Sequence, residues 1–196
     1  MLSKTDKQIM IYLEQYHAIT IKQAQRHFYK SQYGYDVAKK RLKQLENVEL
    51  IKSYKNPITS EKVYYTDRKV SAHDLYIFDF YSILIEYGCI NIEFIKNPKY
   101  LKGVIVPDSF FKFEYEGSLY FILLEVDLTH TTSMGKFQLY EKLYRDGELK
   151  EKCYGTFPII VVMSFEACLK YESENFEVVY LPFELTNFES KVLGSA

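Results

Sequence analysis

The chain has no tryptophan, three cysteines, five prolines and eight glycines in 196 residues. Each scarcity excludes something. Cys89, Cys153 and Cys168 are odd in number and lack C-x-x-C spacing, which argues for reduced thiols and against a zinc knuckle. His17, His27, His73 and His130 lack metal-ligand spacing as well. The scattered glycines form no G-x-x-x-x-G-K-[ST] phosphate cradle and no G-x-S-x-G elbow, so neither a P-loop ATPase nor an elbow-type serine hydrolase is expected. No apolar run approaches the ~18 residues a membrane span needs, and the N-terminus has no apolar signal region. A cytoplasmic protein without a membrane partner is expected.

What is present is apolar and aromatic. A chain 47% hydrophobic and 17% aromatic has ample material for one large packed domain or two small ones. Its 19 tyrosines read as core or interface; no histidine cluster accompanies them to hold the metal of a tyrosine-nucleophile relaxase.

The net charge of −1 hides a division. Residues 1–70 hold 14 Lys and Arg against 7 Asp and Glu, and residues 71–196 hold 11 against 19. A basic half points to nucleic acid. A helical pattern accompanies it. Ser3 or Thr5 caps a helix in which Ile9, Tyr12, Leu13 and Tyr16 recur at helical spacing, and Thr20 caps a second from Ile21 to Phe28. Gly34 breaks the chain before a third, roughly Asp36 to Asn47, whose buried stripe is Val37, Ala38, Leu42 and Leu45. Leu50 to Tyr54, a turn at Asn56 to Ser60, and Lys62 to Thr66 read as a β-hairpin.

Three helices followed by a hairpin resemble a winged helix-turn-helix domain, here over 1–70. In that arrangement the third helix enters the major groove. Lys39, Lys40, Lys43, Lys52, Lys55 and Lys62 are then candidates for phosphate, and Arg41 and Gln44 for base edges.

The rest, 71–196, opens with an apolar helix from Leu75 to Tyr87 that either links the domains or begins the second. Cys89 to Ile95 alternates as a strand. With Glu116 and Gly117 as the central turn residues, Tyr115 opposes Ser118, and Asp108 comes to lie across from Glu125. A three-residue loop would shift the register by one and separate those acids. Phe111, Phe113, Ile122, Leu124 and Val126 line the other face. A helix from Ser133 to Arg145, a strand from Pro158 to Met163, a short helix from Phe165 to Tyr171 and a strand from Phe176 to Leu181 complete the order.

Asp108, Glu125 and Asp127 at one end of a hairpin, with Lys136 and Tyr140 at i, i+4 on the next helix, carry two resemblances. The order of elements is similar to the PD-(D/E)xK nuclease core, an α/β domain with a mixed sheet. That implies Asp108, Glu125 and Asp127 as Mg²⁺ or Mn²⁺ ligands and Lys136 as the cation orienting the attacking water. The pattern's lysine should stand two residues after Glu125, where Asp127 stands instead. From His73 through Val106-Pro107-Asp108, Glu125-Val126-Asp127, Thr129, Thr131, Thr132 and Lys136-x-x-x-Tyr140, the chain resembles the replication-relaxation family. In that family Glu-x-Asp is the rule.

The family resemblance implies an α+β protein of a plasmid or other mobile element. It would bind double-stranded DNA in replication, transfer or transcriptional control, with a homodimer or replication and transfer proteins as further partners. The alternative is a Mg- or Mn-dependent DNA endonuclease using Asp108, Glu125, Asp127 and Lys136. A third reading gives the acidic half a protein partner and the chain no DNA contact.

Overall fold

A computed structural model of the chain describes residues 2–128, 131–165 and 170–194. Two compact units divide it, Met1–Glu86 and Tyr87–Ala196. No described helix is long and apolar enough to cross a membrane.

The first unit begins with α1 (Lys4–Tyr16), β1 (Ala18–Thr20), α2 (Ile21–Phe28) and α3 (Gly34–Asn47). It continues with β2 (Lys52–Lys55), β3 (Lys62–Tyr65) and α4 (Ala72–Glu86). Capping residues set the first two helix starts. Ser3 Oγ accepts the Asp6 N–H while the Asp6 carboxylate accepts the Ser3 N–H at 2.6 Å, and Thr20 and Gln23 repeat this reciprocal pair on α2. Ile9, Leu13, Ala24, Ala38, Leu42 and Leu45 then bury together. Val37, expected in the α3 stripe, is 45% exposed because it lies about a quarter-turn from Ala38.

Gly34 is the first residue of α3, not a break before it. A Cβ there would stand 1.8 Å from the Tyr29 carbonyl oxygen, so the close entry of α3 requires glycine. The hairpin β2–β3 forms as the sequence implies, and β1 adds to the far side of β3, giving the order β1-β3-β2.

The division falls at Glu86, not at residue 70, because α4 is tied to α2. Gln23 Nε2 donates to the Leu75 carbonyl at 3.1 Å and to Asp79 Oδ1 at 2.9 Å. Arg26 donates to Ser82 Oγ at 3.1 Å and meets Glu86 at 2.6 Å, and Lys30 Nζ donates to the Ile85 carbonyl at 3.0 Å. Three acids of α4 therefore belong to the basic unit. Its balance over 1–86 becomes 14 Lys and Arg against 10 Asp and Glu.

The second unit is a mixed five-stranded sheet, β4 (Ile90–Lys96), β5 (Ser109–Tyr115), β6 (Ser118–Asp127), β7 (Ile159–Ser164) and β8 (Val178–Pro182), in sequence order. β4, β5 and β6 pair antiparallel, and β7 and β8 continue parallel to β6. Glu116 and Gly117 both take positive φ, 48° and 83°, as a two-residue hairpin turn demands. Tyr115 faces Ser118, and the register runs unbroken to Ser109 opposite Leu124. The Asp108 N–H then donates to the Leu124 carbonyl at 3.1 Å, which carries Asp108 to the level of Glu125.

Both faces of this sheet are covered. Phe111, Phe113, Ile122, Leu124 and Val126 are buried as expected, but so are Phe110, Phe121, Leu123, Ile160 and Val162 on the face of Glu125. They pack under Phe137, Tyr140 and Leu143 of α5 (Met134–Asp146). A short α6 (Glu148–Lys152) and a C-terminal π-helical turn (Glu189–Leu193) were not implied by the sequence. Cys89 and Cys153 are free and buried. Thr129, His130, Cys168 and most of the Phe165–Tyr171 helix lie outside the described residues.

Candidate functional site

Of the three candidate acids, Glu125 is the one met by α5. Ser133 caps this helix, its Oγ accepting the Lys136 N–H at 3.2 Å, and the i, i+4 spacing of Lys136 and Tyr140 aims both at one carboxylate. Lys136 Nζ lies 2.5 Å from Glu125 Oε2, and the Tyr140 hydroxyl donates to Glu125 Oε1. Glu125 itself is 2% exposed.

Asp108 Oδ2 accepts the Val126 N–H at 2.7 Å, locking it beside the strand that bears Glu125. Burial pushes the Glu125 carboxyl up to about 7; the Lys136 ammonium opposes this and the charge of Asp108 adds to it. Burial, and then Glu125, raise the Tyr140 phenol well above its ordinary value. Glu125 thus sits buried between an ammonium and a phenol that both donate to it.

Asp127 shares the face of Glu125 but has its own partner. Its carboxylate accepts the Thr132 N–H at 2.7 Å and the Thr132 hydroxyl at 2.6 Å, tying the end of β6 to the approach to α5. Among the described residues no group of three or more His, Cys, Asp and Glu stands where it could hold a metal ion. Both Glu125 oxygens are engaged, one by an ammonium that would repel a cation. One Asp108 oxygen serves a backbone N–H. As arranged, the donors do not fit the Mg²⁺ or Mn²⁺ that the nuclease resemblance implies. His73 opens α4 in the first unit, its Nδ1 3.8 Å from Asp74.

The eight candidate DNA contacts of the first unit separate into two sets. Arg41 does not face outward for base edges. Its Nε donates to Asp6 Oδ1 at 2.6 Å, a second nitrogen reaches Asp6 Oδ2, and a third donates to Gln44 Oε1 at 2.8 Å. Lys43 and Lys62 both donate to Glu46 Oε2, at 2.9 and 2.7 Å. Lys43 and Glu46 are an i, i+3 pair that helical spacing makes legible, whereas the bonds from Arg41 to Asp6 and from Lys62 to Glu46 span 35 and 16 positions and are set by the fold.

Lys39 and Lys40 on α3, and Lys52 and Lys55 on β2, are exposed. None of the four has a side-chain hydrogen bond or ion pair among the described residues. Helical geometry puts Lys40 almost opposite the buried Ala38, Leu42 and Leu45. Tyr33, just before the helix, is 67% exposed.

The model of the replication-relaxation family matches residues 21–160. No curated protein and no solved structure matches. The matched stretch runs from the start of α2 into β7 and contains every candidate residue from Lys39 to Tyr140. The chain belongs to the replication-relaxation family.

Proposed function

We propose that this member of the replication-relaxation family is a DNA-binding protein of a plasmid or other mobile element, acting in replication, transfer or transcriptional control. The observation that carries the reading is the set of four unpaired lysines, Lys39, Lys40, Lys52 and Lys55, on a helix and a hairpin strand of the basic unit. The order of helices and hairpin is that of a winged helix-turn-helix, in which α3 enters the major groove and the hairpin follows the backbone. Unpaired lysines bind phosphate by releasing condensed counterions, and paired ones must first give up Glu46. Arg41 then contributes by holding α3 in place through Asp6, and base reading falls to outward residues of α3.

Gel-shift titration of duplex DNA across a salt series tests this. Binding is expected at ~50 mM salt, and the double change Lys39→Ala with Lys40→Ala should lower the slope of log affinity against log salt by about 2. The exchange Lys43→Ala with Lys62→Ala should lower it less. Absence of binding at low salt, or a Lys39 and Lys40 variant that binds as the parent does, removes the reading.

A further inference from the structure

A cleft in the second unit lies between the end of α5, α6 and the loop that enters β7. Its volume is about 420 Å³, within the roughly 300–1,000 Å³ typical of small-molecule sites. It opens beside Phe157, before the first residue of β7, and Glu125 stands near the last residues of β6. Since β6 and β7 run parallel, cleft and acidic cluster belong to opposite ends of the sheet.

The lining is unusual for its surroundings. Residues 87–196 hold 11 Lys and Arg against 16 Asp and Glu, yet among the described residues the cleft is lined by Arg145 and Lys150 and by no carboxylate. Arg145 donates through Nε to the Glu141 carbonyl at 3.2 Å, which fixes the guanidinium; its charge is felt by the Glu141 carboxylate, and its terminal nitrogens make no hydrogen bond among the described residues. The Lys150 side chain has no hydrogen bond or ion pair among the described residues. Backbone amides around the cleft are already spent: Gly147 donates to Leu143, Gly155 to Lys150 and Thr156 to Cys153. An anion would therefore be held by the two cationic side chains, the guanidinium acting as a fork suited to phosphate.

The remaining wall is aromatic. Tyr144 is 39% exposed and meets Phe157 edge-on at 5.4 Å, with Phe176 behind Phe157 at 5.1 Å. A half-exposed ring fixed from behind offers a platform for a flat base. The Thr156 hydroxyl donates to the Cys153 carbonyl at 2.7 Å, so towards a ligand it can only accept.

We infer that this cleft binds a nucleotide, its phosphate monoester between Arg145 and Lys150 and its base against Tyr144 and Phe157. The nucleotide is either free or the 5′-phosphorylated end of a nucleic-acid strand. This site stands on the cleft alone and does not depend on duplex binding by the first unit.

Calorimetric titration of the full chain tests it, with AMP, adenosine, inorganic phosphate, and a short oligothymidylate bearing either a 5′-phosphate or a 5′-hydroxyl. AMP or the phosphorylated oligonucleotide should bind, with adenosine, phosphate and the 5′-hydroxyl strand weaker by about tenfold or more. Arg145→Gln and Lys150→Gln should each cost about tenfold while leaving the thermal midpoint and the duplex gel shift unchanged. AMP alone binding makes the ligand a free nucleotide, and binding of the phosphorylated strand, alone or in competition with AMP, makes it a strand end. No heat from either at millimolar concentration, or variants that bind as the parent does, overturns the inference.

Discussion

Asp6 in the first unit and Glu125 in the second are buried carboxylates, each met by one cation from a helix packed against it. Their surroundings are nearly matched in exposure: side chains of Asp6 and Arg41 are 0% and 32% exposed, those of Glu125 and Lys136 3% and 28%. Yet the two acids are driven in opposite directions. The hydrogen bonds from Arg41 hold Asp6 far below the usual carboxylate range, against the cost of its burial. Burial drives Glu125 up to about 7 despite Lys136.

Equal exposure hides unequal depth: Asp6 lies just beneath the surface, where its hydrogen bonds outweigh burial, whereas Glu125 lies deep and burial is the largest effect on it. Asp6 receives a two-pronged guanidinium together with the Ser3 N–H and hydroxyl. Glu125 receives a single ammonium and a phenol, and has Asp108 as an acidic neighbour. A planar donor fork solvates a carboxylate more fully than a point charge does. The first pair is built to stay charged, and the second to exchange a proton near neutral pH.

The largest effect should come from breaking the first pair. Asp6→Ala removes the cap of α1 and the anchor of Arg41 together, and should cost about 3 kcal/mol, the low end for a broken buried pair because Arg41 is partly exposed. Urea unfolding of the full chain measures it. A loss near zero would mean that Arg41 is adequately solvated without Asp6, and the contrast with Glu125 would lose its basis. Because Asp6 titrates below its unfolded value, its contribution is present above the ordinary carboxylate pKa and fades only as pH falls through the acid range.

Glu125 has the opposite sign. A carboxyl whose folded pKa is raised binds more protons folded than unfolded between about pH 4.5 and 7, so its contribution to stability declines across that window and levels off above it. Glu125→Gln removes the titration. The stability of the variant relative to the parent should therefore rise from pH 5 to pH 8, by on the order of 1–3 kcal/mol. A difference that stays flat with pH would show Glu125 to be an ordinary ion pair with Lys136, and the contrast would collapse.

How legible these pairs were in the sequence depends on how far apart their members lie. The turn at Glu116 and Gly117 is local, and counting outward from it put Asp108 level with Glu125; the spacing of Lys136 and Tyr140 put both on one face of a helix. Ser3 and Thr20 were legible as caps for the same reason. The bond from Arg41 to Asp6 spans 35 positions and depends on how α1 and α3 cross, which no local period encodes. The signal available was Asp6 itself, an acid three residues after Ser3 in a capping box, though that pattern names no cation.

Other elements were hidden for related reasons. β1 has three residues and exists only because β3 offers an edge. α4 is apolar on most of its surface, so its pattern named no side and no unit. The turn register named core residues on one face of the sheet only, and the burial of the face of Glu125 depends on Phe137 and Tyr140 of α5, which cover it.

The smallest effect should be that of a divalent metal. For Mn²⁺ to bridge Asp108 and Glu125 it would have to displace the Lys136 ammonium and the Tyr140 hydroxyl, and Asp127 would have to leave Thr132 before it could add a third donor. Each of these is a short, partly or wholly buried bond, and a cation entering beside a retained ammonium is repelled. Millimolar Mn²⁺ is therefore expected to leave both the thermal midpoint of the full chain and supercoiled plasmid DNA unchanged. A midpoint that climbs with Mn²⁺, as binding to the folded state requires, and stops climbing in Asp108→Ala would reverse the assignment. Lys136 would then be a displaceable placeholder for the metal, the nuclease reading would return, and the raised Glu125 would mark a site built to receive a cation.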